Sequence, residues 1–315
     1  PLEDYMSSEL KKDLLPSIKK QGDYNDHFYA LGTFDAGLGI WANKKYLKEI
    51  GARIPKHAEN AWTLAEFMNI LKDLKDLDKV KYPLDFKLNY GVGEWYTYGF
   101  APIFWGFGAD LVDLDEMTAD GEINGPAANA AGSWFQSLFE RGYANPNPAG
   151  DTAFTSGKAA LSLCGHWVYN QNKKALGDNL ALIPMPKFAS HATGMGSWAW
   201  SIPKSSDNPK AAWKFIKFLM KPEEIVKMTN ANGAIPSRKS ALEMTDKYKK
   251  GGELHVFVEQ LQSIARPRPV TPAYPTITSA FQTALDNIIS GSDVSKELNN
   301  AAKTIDEELE YMGLQ

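Results

Sequence analysis

Four short stretches of the chain set a flat aromatic beside a carboxylate, an amide or a glycine. They are Phe34-Asp35, Glu94-Trp95-Tyr96, Gly165-His166-Trp167 and Gly196-Ser197-Trp198. That combination suits one kind of ligand chemistry. A sugar ring offers an apolar C–H face and an equatorial belt of hydroxyls. Aromatic faces cover the first, and charged acceptors or amides bond the second. Glycine at such a point lets the backbone come close to a ligand. Any one of these aromatics is equally at home filling a core. All four stretches fall where a strand candidate meets a helix or loop, which is where α/β ligand sites form. The chain is also rich in such side chains, with nine Trp, thirteen Tyr and fifteen Phe.

Other chemistries fail on spacing. Gly37-Leu-Gly-Ile-Trp-Ala42 and Gly194-Met-Gly-Ser-Trp-Ala199 match a loose dinucleotide pattern. The residues after the second glycine are aromatic and strand-like, where that motif opens a helix onto a pyrophosphate. Thr155-Ser-Gly-Lys158 is followed by Ala159 in place of the Ser or Thr of a phosphate loop. The histidines at 27, 57, 166, 191 and 255 form no helical pair for zinc. Asp110, Asp113, Asp115, Asp120 and Glu122 cluster without calcium-loop spacing and read as a solvated hairpin. No G-x-S-x-G elbow is present. No motif calls for a metal, a cofactor or catalysis.

The elements that must position the aromatic stretches read as alternating strands and helices. Thr63-Leu-Ala-Glu66 is a capping box, followed by an apolar stripe at Leu64, Phe67, Leu71 and Leu74. Asn208-Pro209 opens another helix, and the run Ala211, Ala212, Phe215, Ile216, Phe218, Leu219 predicts a strongly buried face. Further helices start at Pro222, span about 276–290 ending at Gly291, and run from Ser292 or Asp293 to about Met312. Strands are expected at 28–31, 38–42, 159–164, 180–183 and 198–202, with a hairpin at 111–124 turning at Asp120-Gly121. The order is that of an α/β protein.

Composition bounds the rest. At 315 residues the chain suits two domains or one large one, and 43% hydrophobic against 23% charged residues is an ordinary globular balance. The net charge of −4 advertises no nucleic-acid partner. The single Cys164 excludes an intrachain disulfide, which fits a reducing cytosol and a bacterial periplasm alike. Tyr98–Ala109, the longest stretch free of strongly polar residues, holds Pro102 and is too short to cross a bilayer.

At the level of ordered motifs the sequence resembles the carbohydrate-binding extracytoplasmic solute receptors of bacterial ABC importers, the maltose-binding-protein-like group. The resemblance runs through Tyr29-Ala-Leu-Gly-Thr-Phe-Asp-Ala-Gly-Leu-Gly-Ile-Trp-Ala-Asn-Lys-Lys-Tyr-Leu and Trp62-Thr-Leu-Ala-Glu-Phe. It continues through Phe154-Thr-Ser-Gly-Lys-Ala-Ala-Leu-Ser-Leu-Cys-Gly-His-Trp and the stretch from Trp200 to Leu219 with Pro222-Glu-Glu. Asn232-Gly-Ala-Ile-Pro-Ser-Arg and Ala265-Arg-Pro-Arg-Pro with Tyr274-Pro complete it.

The resemblance implies a two-lobe periplasmic-binding-protein fold with discontinuous lobes, a hinge and a ligand gripped between the lobes. It divides the chain into 1–36 plus 199–250 and 37–198 plus 251–315. It implies that Asp35 edges the cleft, that Glu94, Trp95 and Tyr96 meet the sugar, that Trp167 stacks on it, and that Trp198 and Arg238 lie close by. Trp41 is expected in the core. The implied partners are a carbohydrate and a membrane permease, for a monomer that works in the periplasm or elsewhere outside the cytoplasm. Relatives carry further elements before the segment resembling Pro1–Tyr5, so the N-terminal lobe is expected to be incomplete and the chain a piece of a longer receptor. That expectation carries exposed sheet edges, lower stability and weak binding with it.

Three functions stay open at this stage. One is a sugar receptor serving a permease. Another is a glycan-processing enzyme using Asp35 and Glu94, which would need a fixed carboxyl separation and one raised pKa. The last is a sensory module that shares the receptor's closed state but not its partner. Neutral and acidic sugars are both compatible, with Arg238 or His166 available to the latter.

Overall fold

A computed structural model describes residues 1–315, and the chain divides naturally into four stretches. The first holds α1 (Ser8–Asp13), α2 (Pro16–Gly22) and short strands β1 (Asp23–Tyr24), β2 (His27–Phe28), β3 (Ala30–Gly32) and β4 (Phe34–Asp35). The second holds β5 (Leu38–Asn43), α3 (Lys44–Glu49), α4 (Leu64–Lys75), β6 (Leu84–Asp85), α5 (Glu94–Phe107) and α6 (Pro126–Glu140), then β7 (Leu161–Gly165), α7 (Tyr169–Leu176), β8 (Leu180–Ile183) and β9 (Thr193–Gly194). The third holds β10 (Ala199–Ser201), α8 (Pro209–Leu219), α9 (Pro222–Asn232), β11 (Ile235–Pro236) and α10 (Lys239–Glu243). The fourth holds α11 (His255–Ser263), β12 (Ala265–Arg266), α12 (Tyr274–Ile289) and α13 (Val294–Tyr311).

Local chemistry sets many of these boundaries. Thr63 and Glu66 make both bonds of the capping box at α4. Asp293 caps α13 through the Lys296 amide at 2.7 Å, and Pro209 and Pro222 open α8 and α9.

The main sheet has strand order β6-β7-β5-β8. β5 runs antiparallel to both neighbours, with Ile40 opposite Leu163 and Ile183, and β6 lies parallel to β7. Alternation along β5 sends Leu38, Ile40 and Ala42 to one core and Trp41 to another. The first core joins this sheet face to α4, α5, α6, α12 and α13. The second begins with Trp41, Cys164 and Leu182, passes through α11, and reaches Leu14, Ile18, Trp213 and Ile225. Burying a side chain such as Leu38, which has no exposed surface, stabilises the fold by about 1.5–3 kcal/mol.

The first and third stretches pair with each other. β3 and β10 are antiparallel, with Leu31 opposite Trp200, and β4 and β11 are antiparallel, with Asp35 opposite Ile235. The result is a two-lobe α/β fold whose lobes draw on separate parts of the sequence.

Two sequence expectations need correction. Residues 111–124 form turns, not a hairpin: a lone bridge joins Asp113 to Thr118. Asp113 folds the turn by accepting from the Asp115 and Glu116 amides, while Asp306 of α13 accepts from Ala119 and Asp120. Side-chain carboxylates thus take the backbone donors that a partner strand would have used. The predicted buried face of α8 is also largely open. Trp213 and Ile216 are buried, but Phe215 and Phe218 are 52% and 46% exposed, and Trp200 of β10 packs edge-on against Phe215.

Candidate functional site

Helix α5 supplies the first wall of the site. It is buried along nearly its whole length, yet its first turn breaks the surface at Glu94 and Trp95. With 100° between successive residues, Glu94, Trp95 and Tyr98 share one side and Tyr96 points away. Tyr96 is accordingly buried in the first core, its hydroxyl 3.5 Å from Asp286 of α12, and does not line the cleft.

The second wall is the turn after β7. The ring of Trp167 folds back over Gly165, and a Cβ there would collide with it, so only glycine leaves the room. Trp167 Nε1 donates to the Tyr90 hydroxyl at 3.1 Å, and Trp95 Nε1 donates to the Phe86 carbonyl at 3.0 Å. The two indoles meet edge-to-face at 6.1 Å, with Tyr90 against Trp95 at 5.2 Å and Tyr98 against Trp167 at 6.3 Å. Such contacts fix ring orientation as well as adding stability. His166 is buried between Phe34 and Trp167, edge-on to both.

Between these walls and the Gly196-Ser197-Trp198 segment lies a cleft of about 580 Å³, to which Phe34, Ala36, Asn232 and Arg268 also contribute. Trp198 stands at its edge, 84% exposed. Glu94 accepts hydrogen bonds from Tyr274 and from Thr278, the latter at 2.9 Å, and its carboxylate lies 3.3 Å from Arg268 Nε. Arg268 also covers the Tyr98 ring at 5.2 Å. The cleft therefore offers indole faces, an acceptor and a donor whose charges are already paired.

Asp35 lies behind the cleft, not in it. It is fully buried, and Oδ1 accepts from the Ala36 amide at 2.8 Å and the Gly196 amide at 3.0 Å. Gly196 adopts φ +97°, a left-handed conformation suited to glycine. Asp35 thereby ties the end of β4 to the Gly196 turn, and burial raises its pKa. Gln21 of α2 adds a second tie by donating to the Ser197 carbonyl. Arg238 is elsewhere again: it donates to Asp13 and to the Met220 carbonyl, each at 2.7 Å, and so joins α1 to the end of α8. Of the seven candidate residues, the structure brings together Glu94, Trp95, Trp167 and Trp198, and leaves Asp35, Tyr96 and Arg238 outside the lining. Trp41 packs in the core, its Nε1 donating to the Gly165 carbonyl at 3.0 Å.

Tyr98, Asn232 and Arg268 line the cleft without having been selected from the sequence. Tyr98 could have been found by assigning the Glu94–Phe107 run to a helix and reading four residues on from Glu94. Arg268 comes from a distant segment, and no local spacing pairs it with Glu94.

A cleft walled by aromatics between two discontinuous α/β lobes is the architecture of a ligand-binding protein. The model described as bacterial extracellular solute-binding protein matches residues 1–256, and the chain belongs to that family. A maltooligosaccharide ABC transporter solute-binding lipoprotein of Streptococcus pneumoniae is 27% identical over 295 residues, covering 89% of this chain and 65% of its own. The chain thus spans a little under two thirds of that relative's length. Among solved structures, UgpB of Mycobacterium tuberculosis in complex with glycerophosphocholine aligns over 99% of this chain and 79% of its own, at TM-score 0.83 and 19% identity. An ABC transporter solute-binding protein of Thermotoga lettingae bound with α-D-tagatose aligns over 98% and 80%, at TM-score 0.82 and 20% identity.

Proposed function

We propose that this chain binds a sugar, short oligosaccharide or glycoside in the interlobe cleft and delivers it, by hinge closure, to the membrane permease of an ABC importer. The observation that carries this reading is the wall formed by Trp95 and Trp167, edge-to-face at 6.1 Å and lining the same cleft as the paired Glu94 and Arg268. Fold alone does not choose the ligand, because neighbours of equal likeness hold tagatose and glycerophosphocholine. The aromatic walls favour a ring with apolar C–H faces, and the relative in Streptococcus pneumoniae is a maltooligosaccharide protein by name.

The lobes in this reading are 1–36 plus 199–250 and 37–198 plus 251–315. The chain crosses between them beside Asp35 and beside Gly196, whose hydrogen bond joins the two crossings. Ligand bridging both lobes stabilises the closed arrangement by its differential affinity for it. The protein works outside the cytoplasm as a monomer, and no helix is long and apolar enough to cross a membrane. Binding without catalysis fits the placement of the two carboxylates proposed for a glycosidase. Asp35 is buried behind the Gly196 turn with Oδ1 occupied, so it does not face Glu94 across a ligand.

A tryptophan-fluorescence titration against neutral and acidic mono- and oligosaccharides, with the ligand recovered and its mass measured, tests this. A saturable change with intact ligand is the expected outcome. Cleaved ligand, or a folded protein silent to every sugar, would contradict it.

A further inference from the structure

Nine buried side-chain polar atoms in the structure lack a hydrogen-bond partner, and they are not spread evenly. His166 Nδ1 and the Tyr98 hydroxyl belong to residues lining the cleft, but both atoms are themselves buried, so a ligand reaches them only when the side chains shift toward it. Asp35 Oδ2 and Gln21 Oε1 belong to the two residues that hold the Gly196-Ser197 segment of its wall. Folded proteins leave few such groups, and each calls for a reason.

His166 stands apart from the other histidines. His27 pairs with Glu3, His57 with Glu259 at 2.8 Å, His191 with the Met185 carbonyl at 2.7 Å and His255 with the Tyr248 carbonyl at 2.8 Å. His166 is 4% exposed, and its ring makes no hydrogen bond with any residue. Its ring is oriented by packing alone, edge-on to Phe34 at 6.2 Å and to Trp167 at 5.4 Å. A half-turn about χ2 exchanges the ring's two edges, so either can be offered to the cleft.

We propose that His166 and Tyr98 are specificity-determining ligand contacts, which complete their hydrogen bonding on an uncharged polyhydroxy ligand and so select it over an anionic one. The proposal rests on the sugar reading and narrows it. A neutral imidazole carries one donor and one acceptor, and a sugar or tyrosine hydroxyl likewise both donates and accepts. A carboxylate or phosphate only accepts, and it would meet the imidazole acceptor and Glu94 with no free cation to receive it. Arg268 is held by Glu94, and Arg238 by Asp13 away from the cleft. Burial lowers the His166 pKa to about 4, which keeps the ring neutral at pH 7.

The test is isothermal titration calorimetry on the full chain and on H166A, H166Q, Y98F and W167A. Maltotriose, mannobiose and tagatose serve as uncharged probes and digalacturonate as the anionic one. The wild-type chain is expected to bind at least one uncharged probe about tenfold or more tighter than digalacturonate. H166A and Y98F should weaken that binding by about five- to twentyfold, and H166Q, which retains donor and acceptor, by less. Removing an unpartnered buried hydroxyl does not destabilise a fold, so Y98F should lose affinity while its melting temperature stays the same or rises. A purely structural Tyr98 would give the opposite pattern. Preference for digalacturonate, or H166A and Y98F binding within twofold of wild type while W167A fails, would overturn the proposal and leave the sugar reading intact. A folded wild-type chain that binds none of the four would overturn both.

Discussion

Trp167 can present a face to the cleft because Gly165 has no side chain beneath it. Gly165→Ala forces the indole to move, costing about 1–3 kcal/mol of stability by overpacking and weakening ligand binding with it; a urea melt beside a binding titration reads both. A variant as stable as the parent would show that the ring is free to shift. His166 makes a second prediction, one of sign. Its pKa falls from 6.5 to about 4 on folding, so as pH drops the unfolded chain takes the proton first. Its contribution is complete above pH 6.5 and is lost as the pH falls toward 4, by about 2 kcal/mol between pH 7 and pH 5. Urea unfolding at the two pH values should show the wild-type chain losing that much more than H166Q; equal losses would contradict the assignment. The placement of Trp95, Trp167 and Trp198 in the cleft lining was legible because each tryptophan lies within two residues of a carboxylate or a glycine where a strand candidate meets a helix or loop. Tyr98 and Arg268 were not, since their roles depend on helix phase and on a contact across more than a hundred residues of sequence.

At the scale of elements, the alternation and capping signals carried far. The strand expected at 180–183 forms over those same residues, and the capping box at Thr63 and the stop near Gly291 are both present. Helix α5 escaped notice because its apolar residues run all the way round, with no polar face to mark the period. That omission is also why Tyr96 looked like a ligand contact. Helix α8 shows the reverse failure: its apolar residues mark a face, and the face is only partly covered. Phe215→Ser together with Phe218→Ser should change stability by no more than about 0.5–1 kcal/mol, as for exposed positions. Trp213→Ala, on the buried side of the same helix, should cost about 3–5 kcal/mol. Comparable losses in the two variants would mean that the outer face is packed in solution.

For the whole molecule, the two-lobe plan was readable from ordered motifs, and the structural neighbours share it at TM-scores above 0.8. In the proposed division the chain crosses between lobes beside Asp35 and beside Gly196, and the Gly196 amide donates to Asp35 Oδ1. Closure on ligand should shrink the radius of gyration in small-angle X-ray scattering at saturating sugar. An unchanged radius with full occupancy would remove hinge closure from the mechanism. The central claim is narrower than closure: the Trp95–Trp167 wall is where the ligand sits. Calorimetric titration of the wild-type chain and Trp167→Ala with maltotriose, mannobiose and tagatose tests it most directly. The expected result is saturable binding by the wild type to at least one of them, weakened about tenfold or more in a variant that still melts cooperatively. Equal binding by the two proteins would place the ligand elsewhere and contradict the claim.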